Sequence, residues 1–545
     1  MKFTNFLSSA KAKLSEMTPS PKRIGLPLGW SLRNETYRAN PLFRIFQQDG
    51  NPLIIKCVTI LFLVLFMGVP SKAQSTFELL IPSATRTGTY MAIDDGNGGI
   101  IAPINNLTGK DYGPSDYISG YLLLISATGD TSSHRFSFHD TTFFLNRIQR
   151  LTNGGYILTG ESVPPDSAGK CLLMAGLDDD FNLMWAKHHT YEYMNNRLVV
   201  NNIFQLGDTL IMPVSRCEFP CGSTYPMFLK TDLQGNILYE VFYDDPLLDS
   251  HSNSFILSVD KKTIYMLAHA FVGGVTGSSY SIFTENFEYV TTLPLTPQDN
   301  SSWRYYNTWS PDSVILMSYV AGRPGATTYD EDVWLARYDT ALTLINRVSF
   351  GTADTMDHSP YWGAGIGCLN PDTIFFSGYK NATGWPPSIN RVSWIMAGQV
   401  DSQLQLRYLH YLGGDAYYEP RYMLPLIDGG FLIHAAKFNH ETKLHDMYFI
   451  KLNREGLITS NKPGQIIINR AFISPNPAKE YLKVECMLKQ AKASVLTLSG
   501  AEIFAYKLEQ GTTNLPIQNL KPGMYLLNIS TAGKGVIETH KFIKQ

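Results

Sequence analysis

The chain has 545 residues, 44% of them apolar and 17% charged, enough apolar material for a large core, which excludes global disorder. A formal net charge of −2 excludes a field that would steer the whole chain onto nucleic acid or an anionic membrane. The 30 Tyr and 29 Phe, with abundant Gly and Pro, favour β structure with many turns, and the length suits two to four domains of about 150 residues each.

Residues 1–55 are basic, contain Ser, Pro and Asn, and show little periodicity. They are expected to be a disordered extension. Residues 56–73 carry the pattern of a secretory signal. Lys56 precedes thirteen apolar or small residues, Cys57 to Val69, and Ser71 and Ala73 occupy the −3 and −1 positions of a cleavage site after Ala73. The apolar run is short for a permanent span of the roughly 30 Å hydrocarbon core. Two readings of the first 55 residues stand: an over-extended start or long n-region, which is preferred, and a cytoplasmic tail with an uncleaved anchor. Cys57 precedes the apolar run, which argues against a lipoprotein. The expected location is secreted or outer-membrane surface, with no permanent transmembrane helix in the mature chain.

Residues 75–462 repeat themselves. A tight polar turn followed by an apolar strand recurs seven times, with the strands opening at Ile100, Tyr156, Leu210, Ile264, Val314, Ile374 and Phe431, separated by 56, 54, 54, 50, 60 and 57 residues. After each copy, two further apolar strands flank a second polar turn, as in "TDLQGN", where Gly235 suits a positive φ. A unit near 55 residues holds about four strands, the content of one propeller blade, and sheets packed radially bury both faces. The expected fold is all-β: a seven-bladed β-propeller, with an eight-bladed ring or an open array as the alternative, then a small immunoglobulin-like β-sandwich. The last copy ends short at "GLITSN", so Phe77 to Ile81 is expected to supply the outer strand of the seventh unit.

The five cysteines after Cys57 are scattered and form no disulfide framework. Only Cys217 and Cys221, in "CEFPC", are close enough for a local disulfide, and that pairing stays open. No metal is expected, because nothing nearby completes four ligands.

No motif for chemistry emerges. "GGVTGSS" (Gly273 to Ser279) lacks the Lys and helix of a phosphate loop, and neither a G-x-S-x-G elbow nor an H-E-x-x-H helix occurs. "SPDSVILM" and "NPDTIFF" lack the Gly and Trp of sialidase Asp boxes. The carboxylates of Asp94 to Gly99 and Asp178 to Asp180 fall where the repeat demands turns, so turns are preferred to calcium sites. His188 and His189 are adjacent on a strand and point to opposite sides. Asp415, Glu419 and Arg421 read as a solvated loop. No cofactor and no catalytic residue is assigned. Aromatic-rich loops are the best hint of binding: Trp303, Tyr305, Tyr306, Trp309, Trp362, Trp385, Tyr417 and Tyr418 stand beside turns, where rings can stack on sugars or anchor a protein. The competing and preferred role for these rings is to fill the wedges between units.

Residues 463–545 read as a separate β-rich module after the linker "NKPG". "SPNPA" (Ser474 to Ala478) with "YLKV" after it, "VLTLSG" (Val495 to Gly500), "LKPGMYLLNI" (Leu520 to Ile529) and "KFIK" (Lys541 to Lys544) together resemble the type A C-terminal sorting domain of type IX secretion substrates of Bacteroidetes-type bacteria. The matching positions include Pro475, Asn476, Pro477, Gly500, Gly523, Tyr525, Lys541 and Lys544; Ser474 departs, standing where an aromatic or similar residue is common. The resemblance implies passage across the outer membrane by the type IX machinery, followed by surface attachment or release. The repeat region loosely resembles propeller passengers joined to such domains. The chain is thus expected to be an exported, non-catalytic glycan- or protein-binding propeller, with a secreted polysaccharide hydrolase as the alternative. Converging carboxylates about 5–10 Å apart on one propeller face would favour the alternative.

Overall fold

The computed structural model describes residues 74–459 and 471–545, apart from 84–85, 90, 108–116, 137, 139–140, 165–169, 192–196, 218–223, 244–253, 273–274, 296–305, 323–329, 354, 361–362, 384–390, 475, 487–490, 510 and 532–534. The expected signal segment and residues 1–55 lie outside it. Among the described residues every regular element is a strand, and no helix is long and apolar enough to cross a membrane.

The strands between Phe77 and Leu452 form seven antiparallel sheets among the described residues. In chain order, the main strands of the first are Arg86–Gly88, Ile100–Leu107, Tyr117–Ile125 and Thr131–Arg135, and those of the second Thr142–Arg150, Tyr156–Val163, Cys171–Leu177 and Leu183–Thr190. The third has Arg197–Val200, Thr209–Cys217, Thr224–Asp232 and Ile237–Phe242, and the fourth Ser254–Leu257, Thr263–Val272, Val275–Thr284 and Tyr289–Pro294. The fifth has Tyr306–Trp309, Ile315–Gly322, Glu331–Tyr338 and Leu344–Phe350, and the sixth Ile366–Asn370, Thr373–Lys380, Trp394–Val400 and Leu406–Gly413. The seventh has Tyr418–Pro425, Phe431–Phe438 and His445–Leu452, and takes its fourth strand from the other end of the chain. Phe77–Ile81 pairs with His445–Leu452, from Phe77 opposite Lys451 to Ile81 opposite Met447.

The cause of this arrangement is two-faced burial. Every residue of Cys171–Leu177 is buried, and so are all but the last of Tyr156–Val163. Such strands need a partner on each side, which one sheet cannot supply. The first sheet meets the second through Ile101, Leu122, Phe143 and Leu158. The second meets the third through Ile157, Met174, Leu198 and Met212. The third meets the fourth through Ile211, Phe228, Phe255 and Phe283. The fourth meets the fifth through Leu267, Tyr280, Ile315 and Met317. Leu316, Val333, Ile374 and Phe376 join the fifth to the sixth, and Phe375, Ile395, Ile433 and Ile450 join the sixth to the seventh. The seventh packs on the first through Leu79, Leu432, Phe449, Ala102 and Ile104. The architecture is propeller-like.

A buried lysine ties the seventh sheet to the first. Lys451 is fully buried, donates to the carbonyls of Gly98 (2.6 Å) and Ala127 (3.2 Å) and to Ser75 Oγ (3.2 Å), and pairs with Asp428 at 2.5 Å. Gln74, just before the borrowed strand, ties it to two turns of the seventh sheet, donating Nε2 to Asp428 O (2.7 Å) and accepting from Arg454 N (2.7 Å).

Short turns gather at one end of the sheets. Between the third and fourth strands, the N–H of Ser126, Asp178, Asp232, Thr284, Asp339 or Asp401 donates to the carbonyl four residues on, and Asn453 makes the same bond after the last such strand. Asp178 Oδ1 also accepts from the N–H groups of Asp180 (2.9 Å) and Asn182 (2.8 Å), and Asp95 Oδ1 from Asn97 (2.7 Å) and Gly99 (2.9 Å). These carboxylates are spent on their own turns. The connections at the other end are mostly longer.

The C-terminal residues form two sheets of their own, Ala471–Ser474, Tyr481–Cys486 and Gly511–Pro516 in one, and Glu502–Leu508, Ala491–Leu496, Gly523–Thr531 and Gly535–Lys544 in the other. They share a core of Leu482, Val484, Val495, Leu515, Leu527, Ile529 and Phe542.

Candidate functional site

The four aromatic-rich stretches all involve the long-connection end. Trp303, Tyr305, Trp362 and Trp385 lie outside the described residues. Tyr306 opens its strand half-buried; burial raises its hydroxyl pKa, and Arg147 works against that rise. Trp309, at the other end of the same strand, donates Nε1 to Leu257 O at 2.7 Å. Tyr306 and Trp309 line a cleft of about 290 Å³ with Met91, Ile366, Cys368 and Leu424, where Arg147 also contacts Met91 Sδ. Tyr417 and Tyr418 are 1% and 2% exposed. Tyr417 packs edge-on against Tyr379, and Tyr418 packs near Tyr448, so both fill wedges between strands.

A different set of side chains makes an accessible ledge at this end. Lys380 closes the second strand of the sixth sheet, and the register sets Trp394 opposite it and Gly413 opposite Trp394. Tyr411 opposes Met396, two residues further along, so it shares the face of Lys380 and Trp394. The Lys380 ammonium stands 5.9 Å from the Trp394 ring centroid and 5.4 Å from that of Tyr411. Tyr411 is 42% exposed. Burial raises its hydroxyl pKa, with Asp357 and Asp332 adding to the rise and Thr352 opposing it.

Gly413 and Gly414, at φ 97° and 91°, pass between two rings: a methyl on Gly414 would come within 2.2 Å of Trp394 Nε1, and one on Gly413 within 2.6 Å of the Tyr418 ring. Beyond them, Asp415 accepts from Tyr418 OH (2.5 Å) and Lys437 Nζ (2.7 Å). Desolvation opposes the Asp415 charge, but those two bonds outweigh it and hold the carboxyl below its ordinary value. Burial and then the bond to Asp415 push Tyr418 up to about 12.

Behind Tyr411 lies a buried polar knot. Asp357 Oδ2 accepts from Thr352 N (2.6 Å) and Oδ1 from Asn381 N (3.0 Å), while His358 Nε2 meets Glu331 Oε2 at 2.5 Å. Burial raises the Asp357 pKa against these bonds. Asp332 and Asp357 flank one spot, since a methyl on Gly351 would sit 1.9 Å from Asp332 Oδ1 and 3.1 Å from Asp357 Oδ2. Both carboxylates are shut off from solvent, at 2% and 0% exposure. Glu419 is also buried and meets Arg421 at 3.1 Å, so this pair is not the solvated loop expected. Among the described residues, no three His, Cys, Asp or Glu side chains converge on a metal position.

The Cys217–Cys221 pairing lies outside what is described, since Cys221 and the Cys217 side chain are not placed; Cys171 and Cys486 are buried and Cys368 is half-buried. In the C-terminal module, Pro475 is also outside. Asn476 clamps the last strand, with Nδ2 donating to Lys541 O (3.2 Å) and Oδ1 accepting from Ile543 N (2.8 Å). The peptide bond to Pro477 is cis. Ala478 N donates to Ile543 O at 2.8 Å and Gln545 N to Ala478 O at 2.9 Å, so the "PNPA" and "KFIK" segments form one unit. Gly500 takes φ 86° in the turn from Thr497 to Ala501. Gly523 pairs with Lys544, and Tyr525 donates to Lys521 O (2.8 Å) and stacks on Phe542.

Residues 473–545 match a family described as the secretion system C-terminal sorting domain. This match supports a substrate of the type IX secretion system, secreted or held at the cell surface, that engages the secretion machinery. No curated protein matches the chain. Among solved structures, a prolyl endopeptidase is similar at 10% identity and a TM-score of 0.40, covering 88% of this chain and 59% of that one. The β-propeller domain of the Trilobed protease from Pyrococcus furiosus, with an open velcro topology, is similar at 9% identity and a TM-score of 0.35, covering 70% and 98%. An acylaminoacyl peptidase from Pyrococcus horikoshii is similar at 9% identity and a TM-score of 0.30, covering 64% and 52%. The chain therefore spans less than two thirds of both peptidase chains outside the isolated propeller domain.

Proposed function

We propose that this protein is an exported, non-catalytic propeller that binds a glycan or a protein at the cell surface through the ledge around Trp394 and Tyr411. Its parts are a signal over residues 56–73 cut after Ala73, a seven-bladed ring over 75–462 closed by Phe77–Ile81, and an immunoglobulin-like sorting domain over 463–545. The ring reading rests on the packing of the seventh sheet against the first.

The observation that carries the binding reading is the exposed Tyr411 ring beside Trp394 and Lys380, held on paired strands at the end where the connections are long. Rigid strands that present aromatics beside a polar group suit recognition. Tyr306 and Trp309, in their cleft, form a secondary aromatic surface; Trp303, Tyr305, Trp362 and Trp385 belong to the proposal from the sequence alone.

A second reading, a secreted polysaccharide hydrolase, is favoured by the convergence of Asp332 and Asp357 beside Gly351 and the raised pKa of Asp357. Its weakness is access, because neither carboxylate reaches solvent. The deciding experiment screens the full chain against polysaccharides and surface proteins and reads binding and product release together. Binding without products, lost in Tyr411→Ala, supports the first reading. Products that disappear in Asp357→Asn establish the second. No binding to any target sinks both.

A further inference from the structure

We propose that the ligand of this ledge is an acidic carbohydrate, a chain of carboxylate-bearing sugar rings, with Lys380 as the group that recognises the charge. The inference rests on the reading of the ledge as a binding site.

Lys380 differs from three other lysines of the repeat region that are buried or half-buried. Lys170 is paired with Glu161, Lys437 with Asp415 and Lys451 with Asp428. Lys380 has neither a carboxylate nor a hydrogen-bond acceptor among the described residues, and its ammonium is held over two aromatic rings. The rings fix the stem and leave the three N–H donors without an anion. A half-buried ammonium in that state favours an incoming carboxylate more than a freely hydrated lysine does, because part of its desolvation is already met in the unliganded protein. Two carboxylates around the ledge are already engaged: Asp357 accepts from Thr352 and Asn381, and Asp415 is taken by Lys437 and Tyr418.

The rest of the ledge fits a sugar ring. Tyr411 offers an exposed aromatic face on the same side of the sheet as Lys380, and the apolar face of a pyranose stacks on such a ring. A hexuronic acid carries that apolar face and a carboxylate on one ring, so one residue of ligand satisfies both features.

The test compares two polymers with the same backbone, polygalacturonate and its fully methyl-esterified form, by affinity electrophoresis and titration calorimetry on the full chain. The expected result is binding to polygalacturonate that weakens at least about tenfold on esterification and again when NaCl rises from about 50 to 500 mM. Lys380→Met should bind both polymers equally and weakly, and Lys380→Arg should keep the preference for the acid. Thermal melting of each variant separates loss of contact from loss of fold. Equal binding of the two polymers, unchanged binding by Lys380→Met, or no binding of polygalacturonate overturns the acidic ligand. If Trp394→Ala and Tyr411→Ala bind polygalacturonate as the unaltered chain does, the ledge itself is the wrong site; if they lose a neutral glycan instead, the ledge stands and only the charge assignment falls.

Discussion

Single residues carry costs that their surroundings offset. Phe287 holds a left-handed φ of 67°, which an L side chain adopts at a cost of about 1–2 kcal/mol, yet it is 1% exposed and stacks on Phe228 at 5.2 Å. Phe287→Ala should lose about 3–4 kcal/mol in denaturant titration, since the strain stays and the burial goes. Leu342, at φ 61° in the matching turn of the fifth sheet, is only half-buried, so Leu342→Gly should change stability by less than about 1 kcal/mol. His434 shows the same tension in its charge. It lies between Tyr422 and Phe449, and neither ring nitrogen has a hydrogen-bond partner. Burial, with Arg421 adding to it, holds its pKa well below 6.5, so the folded protein keeps it neutral. Protons therefore favour the unfolded chain as pH falls through about 6.5, and stability should decline below that point. Melting curves between about pH 7.5 and 5 should show a shallower decline for His434→Phe; identical slopes would remove this residue from the acid response.

Elements were more legible in the sequence than sites. Ile100, Tyr156 and Phe431 open their strands as the repeat implied, and Leu210, Ile264 and Ile374 fall one residue inside theirs, because polar turns interrupting apolar runs leave little choice of boundary. The bounds of Phe77–Ile81 were readable because the last unit lacked a strand. The ledge was not readable, since Lys380, Trp394 and Tyr411 are scattered along the chain and meet only through strand register. Trp394 stands at the start of one of the repeated third strands, so an alignment of the strand ends is the one signal that could have found it. Tyr417 and Tyr418 looked similar in sequence, but packing turned them inward. The joint at Phe77–Ile81 gives an element-level prediction. Lys451→Met leaves the Gly98 carbonyl without the ammonium and Asp428 without its cation, while the Ala127 carbonyl keeps its bond from Ser75 Oγ, and should cost on the order of 3 kcal/mol by chemical denaturation. Asn476→Ala should leave the core of the C-terminal module intact and speed amide exchange at Ile543, whose N–H loses its acceptor.

At the scale of the whole molecule, the cores are separate. The C-terminal cluster draws only on residues from Ala471 to Phe542, and the seven clusters between sheets draw on none of these. Scanning calorimetry should therefore resolve two transitions, and a chain ending at Thr459 should retain the one that belongs to the repeat region; a single transition abolished by that truncation would show that the cores depend on each other. The borrowed strand bears on how the protein is made. Glu78 and its partner Tyr448 are 370 positions apart, so the segment synthesised among the first must wait for nearly the last repeat before it finds its place. Until then it is an unsatisfied strand with alternating greasy side chains, a target for holdase chaperones and a seed for pairing between neighbouring nascent copies.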